Sequence, residues 1–174
     1  GDYPLDLTLT LNAADLIPET LPEGEGAQPA TVKLRLGNSL RHLDIDTTLS
    51  GIIDASLTGS MQPLEKDLPA SITLVSDKIG WPIQSAEQVQ ASDVSVSVDG
   101  TLDDYRIELA ADVDGAQVPT TRLSLSGVAN TERLSLPDID IRTLGGSALA
   151  SANLSWKELL QWDTQWALAN IDPS

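Results

Sequence analysis

The fold is decided by residues 94–115, which read VSVSVDGTLDDYRIELAADVDG. Apolar residues alternate with polar ones on both sides of the Asp99-Gly100 pair. Successive side chains of a β-strand point to opposite faces, so each half of this stretch has one apolar and one polar face. Glycine tolerates the positive φ of a tight turn and aspartate bonds to its local backbone, so Asp99-Gly100 predicts the turn of a hairpin.

The same alternation recurs on both sides of this hairpin. It is found in residues 5–11, 32–36, 43–49, 53–57, 123–125 and 139–141, with glycines between many of the runs. This pattern predicts an all-β fold: an elongated, curved sheet of antiparallel type that forms an open trough with an apolar concave face. A closed β-sandwich is the alternative, because the apolar faces of most such strands pack against one another.

Two segments interrupt the alternation. Residues 18–31 are rich in Pro, Glu and Gly and predict a mobile loop, and residues 61–70 predict a connector. Short helices are expected at 85–91 and 156–160. The whole chain, residues 1–174, is interpreted as a single β-rich fragment of a larger protein, because both ends read as cuts within a longer sequence.

Composition excludes several classes of function. The chain carries 26 acidic and 10 basic residues, a formal net charge of -16. Binding to phosphates needs a patch of Lys and Arg, so no nucleic-acid partner is expected. The absence of cysteine excludes disulfides and thiolate zinc sites. No apolar run approaches the roughly 20 residues that span a bilayer, so no transmembrane segment is expected.

Groups that could carry out catalysis are missing from the sequence. His42 is the only histidine, so no imidazole triad or multi-histidine metal site can form within the chain. No phosphate-binding glycine loop or calcium-binding loop is present. The pairs Asp103-Asp104 and Asp138 with Asp140 are interpreted as a turn and a solvated strand face. The protein is therefore predicted not to be an enzyme, with neither a cofactor nor a metal.

Four tryptophans stand out in a chain that has no phenylalanine. Trp156, Trp162 and Trp166 lie near the end of the sequence, and Trp81 precedes a proline. Large aromatic side chains bury much apolar area, so one interpretation is that they close the end of a core. The other interpretation is that they seal one mouth of a groove or contact the next repeat.

Residues 80–174 resemble the repeats of the AsmA-like superfamily, and the first 80 residues resemble them more loosely. The motifs that carry the resemblance are GWP at 80–82, the hairpin at 94–109, LGGSA at 144–148 and LSW at 154–156. The ending, WAL at 166–168 and then NIDP at 170–173, is similar to a recurrent signature of the TamB family within that superfamily.

The resemblance implies a location and a role. TamB proteins are anchored in the inner membrane of Gram-negative bacteria, cross the periplasm, and work with the outer-membrane barrel TamA. The functions implied are assembly of outer-membrane proteins, including autotransporters, and phospholipid transport between the two membranes. This periplasmic fragment would then bind unfolded outer-membrane protein strands or phospholipid acyl chains. A purely structural β spacer that bridges the envelope is the alternative.

Alternate positions along each strand give the residues expected to line an apolar groove. Their expected role is hydrophobic contact with such cargo. They are Leu34, Leu36, Ile45, Leu57, Leu74, Val96, Val98, Ile107, Leu109, Leu123, Leu125, Ile139 and Ile141. A β-bulge or a register slip of one residue moves a side chain to the other face, so this selection depends on the pairing of the strands.

Overall fold

A computed structural model describes residues 4–12, 31–51, 53–81, 88–157 and 159–170. All regular structure in these ranges is β-strand, which confirms the predicted class. The eleven strands are β1 (Leu7–Asn12), β2 (Thr31–Ser39), β3 (His42–Ser50), β4 (Asp54–Met61), β5 (Ala70–Trp81), β6 (Val89–Thr101), β7 (Asp104–Gly115), β8 (Val118–Ala129), β9 (Arg133–Thr143), β10 (Gly146–Ser155) and β11 (Gln161–Ala169).

The strands form one antiparallel sheet whose spatial order is the sequence order, from β1 to β11. Within the described ranges, β1 pairs with β2 alone and β11 pairs with β10 alone. The sheet is therefore open, which confirms the predicted open antiparallel architecture. The alternative of a closed β-sandwich is wrong for these ranges, because they contain no second sheet. Each strand lies beside the strand that precedes it in the sequence, and the result is a meander.

The two predicted helices are absent from the described residues. Residues 89–91 begin β6 and pair with β5 and β7, so pairing with two neighbouring strands overrides local helix propensity. The described residues between β10 and β11 have no helical turn. Residues 85–87 lie outside the described residues, as do residues 18–30 of the predicted mobile loop.

The connections that the structure describes in full include a tight turn and a longer loop. Leu144-Gly145 joins β9 to β10, and both residues have positive φ, 52° and 73°. This is the conformation of two-residue hairpin turns whose twist matches that of the strands. The longer connection, residues 62–69, joins β4 to β5 and is attached to β7 by a hydrogen bond that the Tyr105 hydroxyl donates to the Leu68 carbonyl.

A β-bulge keeps apolar residues on one face where the sequence alternation breaks. In β9 these residues change from even positions, Leu134 and Leu136, to odd positions, Ile139 and Ile141. Register shifts toward both β8 and β10 place one extra residue in β9 at this point. Pro137 lies there, and a proline has no N–H to donate to a ladder. The bulge therefore returns all four apolar side chains to the same face.

The sheet is a single layer in the described ranges, and its core is shallow. The buried hydrophobic residues are Leu43, Val94, Ala111, Ala148 and Ala150, which are 6–9% exposed. Among the described residues, no large side chain is less than 2% exposed. Two stacked sheets bury the inner side chains of both, whereas one sheet buries a side chain only against its neighbours on the same face.

Candidate functional site: the apolar face

One face of the sheet carries apolar side chains on all eleven strands, and we call it the apolar face. Residues directly opposite each other in an antiparallel ladder lie on the same face, so the pairing register traces it across the sheet. Its central ladder is Leu9, Leu34, Thr47, Leu57, Leu74, Val96, Leu109, Leu125, Ile139, Ala150 and Trp166. With neighbouring strands about 4.8 Å apart, this ladder is about 48 Å long.

Further apolar residues flank the central ladder on both sides. On one side are Leu7, Leu36, Ile45, Ile72, Val98, Ile107, Leu136 and Ala152. On the other side are Leu11, Val32, Leu49, Val94, Leu123, Ile141, Ala148 and Leu168. No charged side chain lies on the apolar face within the described strands. This surface is therefore uninterrupted by charge from one edge of the sheet to the other.

The structure places all thirteen residues predicted to line a groove on the apolar face. They are Leu34, Leu36, Ile45, Leu57, Leu74, Val96, Val98, Ile107, Leu109, Leu123, Leu125, Ile139 and Ile141. None lies within a bulge, so the simple parity of each strand suffices to place them. Their contact with cargo stays a prediction.

Sequence reasoning left out several members of this face. Leu134 and Leu136 lie at even positions, whereas Ile139 lies at an odd one. Pro137 between them is the sequence signal for a bulge that puts all three on one face, since a proline within a strand pattern marks a bulge. Trp162 and Trp166 lie four residues apart, a spacing that places them on one face of a strand. Within the described residues they extend the apolar face to the last strand.

The opposite face is polar and carries the charges. In its centre Arg122 of β8 donates two hydrogen bonds of 2.8 Å to the carboxylate of Asp112 on β7. These hydrogen bonds, aided by the attraction between the charges, lower the pKa of Asp112 and raise that of Arg122. On β9, Arg142 pairs with Asp140 at 3.0 Å. The charged side chains of the described strands thus lie on one side of the sheet, together with a few exposed apolar ones such as Val75 and Leu149.

Exposure on the apolar face rises toward both edges of the sheet. Leu74, Leu109 and Leu125 in the middle of the central ladder are half-buried. At its ends, Leu9 is 42% and Trp166 61% exposed. An edge residue has a neighbouring strand on one side only, so less of its surface is covered. In the described strands, neighbours on the same face cover the sides of these apolar side chains, and their outer surface is accessible.

The polar face has shallow depressions in the part of the chain that the structure describes. One depression of about 310 Å³ is lined by Ser95, Glu108, Ser124, Asp138 and Asp140, among others. One Asp140 oxygen accepts from Arg142, and the other is buried without a partner among the described residues. The described residues contain no group of three or more side chains placed to hold a metal. The predicted solvated face of Asp138 and Asp140 is this polar face.

The described residues contain no helix with the length and apolar character needed to cross a bilayer. Their geometry is that of an open β-sheet that presents an apolar surface on one side and a charged surface on the other.

The chain belongs to the family described as TamB, N-terminal domain, whose model matches residues 1–174. It is 30% identical over 179 residues to the translocation and assembly module subunit TamB of Haemophilus influenzae. The match covers 99% of this chain and 13% of that relative, so the chain spans a small part of the relative's length. No solved structure matches.

Proposed function

We propose that this segment presents its apolar face to hydrophobic cargo during the assembly of outer-membrane proteins, including autotransporters, or phospholipid transport between the inner and outer membranes. The observation that carries the proposal is the central ladder, ten of whose eleven residues are apolar, with no charge beside it in the described strands. Monomeric proteins rarely expose apolar patches of this extent unless the patch binds something.

Phospholipid acyl chains suit this surface for a simple reason. The hydrocarbon core of a bilayer is about 30 Å thick, so one layer of lipid tails extends about 15 Å. The central ladder, at about 48 Å, is about three times that length. An acyl chain needs no hydrogen bonds, and moving it from one aliphatic residue to the next leaves its apolar contact unchanged. The surface therefore offers a path along which a tail can slide.

An unfolded outer-membrane protein strand is the second cargo that the surface accommodates. Such strands carry apolar residues at alternate positions, which face lipid once the barrel has formed. These residues would lie against the apolar face while the polar residues between them stayed in water. Leucine, valine, isoleucine and alanine form a surface without specific polar contacts, which suits cargo of varied sequence.

We place the segment in the periplasm, within a parent protein anchored in the inner membrane that works with the outer-membrane barrel TamA. The family membership supports this location, as does the relative's name, which describes a subunit of a translocation and assembly module. The charged polar face, with ion pairs such as Arg122–Asp112, would keep the outer surface of the sheet hydrated.

A structural spacer that only bridges the envelope is the competing function. An eleven-strand meander about 48 Å long would serve as such a spacer. A spacer, however, has no use for a continuous ladder of apolar side chains that remain partly exposed.

The test is photo-crosslinking from position 109 in the intact parent protein in living cells. A photoreactive residue replaces Leu109 on the apolar face, and the matched control replaces Glu108, its neighbour on the polar face of β7. We expect adducts of phospholipid or of outer-membrane polypeptides from position 109 and few from position 108. The identity of the adduct names the cargo. Internal crosslinks alone from position 109 would contradict the proposal and favour the spacer.

A further inference from the structure

The loop between β4 and β5, residues 62–69, is longer than the joining of two strands requires. Strands of a meander alternate in direction, so the β2–β3, β4–β5 and β6–β7 connections lie at the same end of the strands. Residues 40–41 suffice for the first of these connections and residues 102–103 for the third. Compact surface loops of this kind, with their two ends close together, are frequently functional.

The loop is held in shape by its own backbone. Its first residue donates to the carbonyl of its last, from Gln62 N to Pro69 O at 2.8 Å, and this hydrogen bond closes the base. Inside the loop, Glu65 N donates to the Gln62 carbonyl and Leu68 N to the Glu65 carbonyl, each at 3.1 Å. The loop can therefore move as a unit about the ends of β4 and β5.

Two hydrogen bonds hold the loop against one margin of the apolar face. Tyr105 of β7 has the same parity as Ile107, without a bulge between them, and so projects from that face. Its hydroxyl donates to the Leu68 carbonyl. The Leu102 N–H of the β6–β7 turn donates to the Asp67 carbonyl at 2.8 Å. The second half of the loop thus lies on the apolar side, above the start of β7.

Beneath the loop, the apolar face continues to the ends of the strands. One more ladder crosses β3 to β7 at this margin and contains Leu43, Met61, Ala70, Gly100 and Tyr105. None of these residues is charged, and the Tyr105 side chain is half-buried. Movement of the loop away from the sheet would expose more of this ladder and widen the apolar face here.

One residue of the loop has a strained backbone. Leu68 has a φ of 45°, in the left-handed region that bulky side chains rarely adopt. It also precedes Pro69, and a residue before proline favours an extended conformation. Such a conformation persists only where the surroundings hold it, and here the hydrogen bonds from Tyr105 and Leu102 do so. Release of the loop would relieve the strain, which favours opening.

We propose that residues 62–69 form a lid at this margin of the apolar face, held closed by the Tyr105 hydroxyl, and that hydrophobic cargo enters or leaves the face from the side when the lid opens. This inference rests on the proposed function and adds the place of entry. Segments with few contacts open locally while the rest of a fold stays intact. The tip of the lid, residues 64–67, is exposed, so opening breaks few contacts.

The first experiment measures the opening of the lid by hydrogen exchange at single amides in the intact parent protein. Tyr105→Phe removes the hydroxyl and keeps the ring. We expect the Leu102 amide to exchange about tenfold faster in this variant, because one hydrogen bond fewer holds the lid. The control amide is that of Asn130, which donates to the Arg133 carbonyl in the β8–β9 turn at the same end of the sheet and should not change.

The second experiment asks whether cargo uses the opening. A photoreactive residue replaces Met61, on the ladder beside the lid, in the intact parent protein in living cells, and the matched position is Leu109 in the central ladder. Tyr105→Phe should raise the yield of cargo adducts at position 61 by up to about tenfold, in proportion to the population of open lid. The yield at position 109 should not change.

Three results would overturn the lid. The first is an unchanged exchange rate at Leu102, and the second is an equal rise at Leu102 and Asn130, which would show loosening of the whole sheet. The third is faster exchange at Leu102 with an unchanged adduct yield at position 61. Adducts at position 109 without the rise at position 61 would leave the proposed function standing and remove only the lid. Absence of cargo adducts at both positions would contradict the proposed function itself.

Discussion

Leu125 of β8 and Leu168 of β11 are the same residue type on the same face of the sheet, yet they differ in burial. Leu125 has a strand on each side and is half-buried, whereas Leu168 has a strand on one side and is 69% exposed. The hydrophobicity of the side chain is the same in both positions. In a single-layer sheet a side chain is covered by its neighbours on the same face, so a second flanking strand adds to the burial of Leu125.

This comparison shows how the sheet holds together while leaving its apolar face accessible. Each apolar side chain contributes to stability by packing against the side chains of neighbouring strands on the same face. Its upper surface remains open in the described strands. The centre of the sheet should therefore be sensitive to mutation and the last strand tolerant, although both carry the same sequence pattern.

The largest expected effect is at Gly127 in the centre. A Cβ atom there would lie 2.3 Å from the Ser135 carbonyl oxygen and 2.6 Å from Cδ2 of Leu136. Gly127→Val should force β8 from β9 and lower the free energy of unfolding by about 3 kcal/mol. Urea denaturation measures this loss. Ala167→Val on β11 is the control and should change stability little; equal losses would contradict the role of the second flanking strand.

A charge on the apolar face should have the next largest effect. Leu109→Glu places a carboxylate among half-buried aliphatic neighbours and should cost about 2 kcal/mol. The chain should stay folded, because the open face lets the carboxylate reach water. Thermal unfolding followed by circular dichroism measures the change, with Trp166→Glu at the exposed end of the same ladder as the smaller counterpart. Complete unfolding of Leu109→Glu would show that this face is covered.

Truncation of the two compared leucines should give a smaller and graded difference. Leu125→Ala removes a half-buried side chain and should cost about 1.5 kcal/mol. Leu168→Ala removes a mostly exposed one and should cost less than about 0.5 kcal/mol. Denaturation midpoints of the two variants provide the test. If Leu168→Ala were the more costly, lateral cover would not explain the burial difference.

The smallest effect concerns the polar face between the central strands β7 and β8. Arg122 lowers the folded-state pKa of Asp112. The pair therefore stabilises the fold at pH values above the ordinary Asp pKa of about 3.9, and this stabilisation is lost as the pH falls through the folded-state pKa. Arg122→Gln should raise the Asp112 pKa toward its ordinary value, as measured by NMR titration. Arg122→Lys should restore part of the shift, since lysine keeps the charge without the paired hydrogen bonds.

Much of the fold and of the apolar face could be predicted from alternation alone. Val96, Val98, Ile107 and Leu109 share a face because strand side chains alternate, and the pairing register carries that face across neighbouring strands. Alternation does not reveal a bulge, so Leu136 was missed although it lies beside Ala152 on the apolar face. The helix predicted at residues 85–91 is wrong for residues 89–91, where pairing with β5 and β7 produces a strand.

The alternation of residues was enough to predict that the chain forms strands, that each has one apolar and one polar face, and that the charges lie on the polar one. These properties depend on the order of residues along one strand, and that order can be read from the sequence. Only the arrangement of the strands in space shows that the sheet is open in the described ranges and that Trp162 and Trp166 lie exposed on β11. The physical reason is that an open sheet and a closed sandwich require the same alternation, and differ only in which surface meets each apolar face.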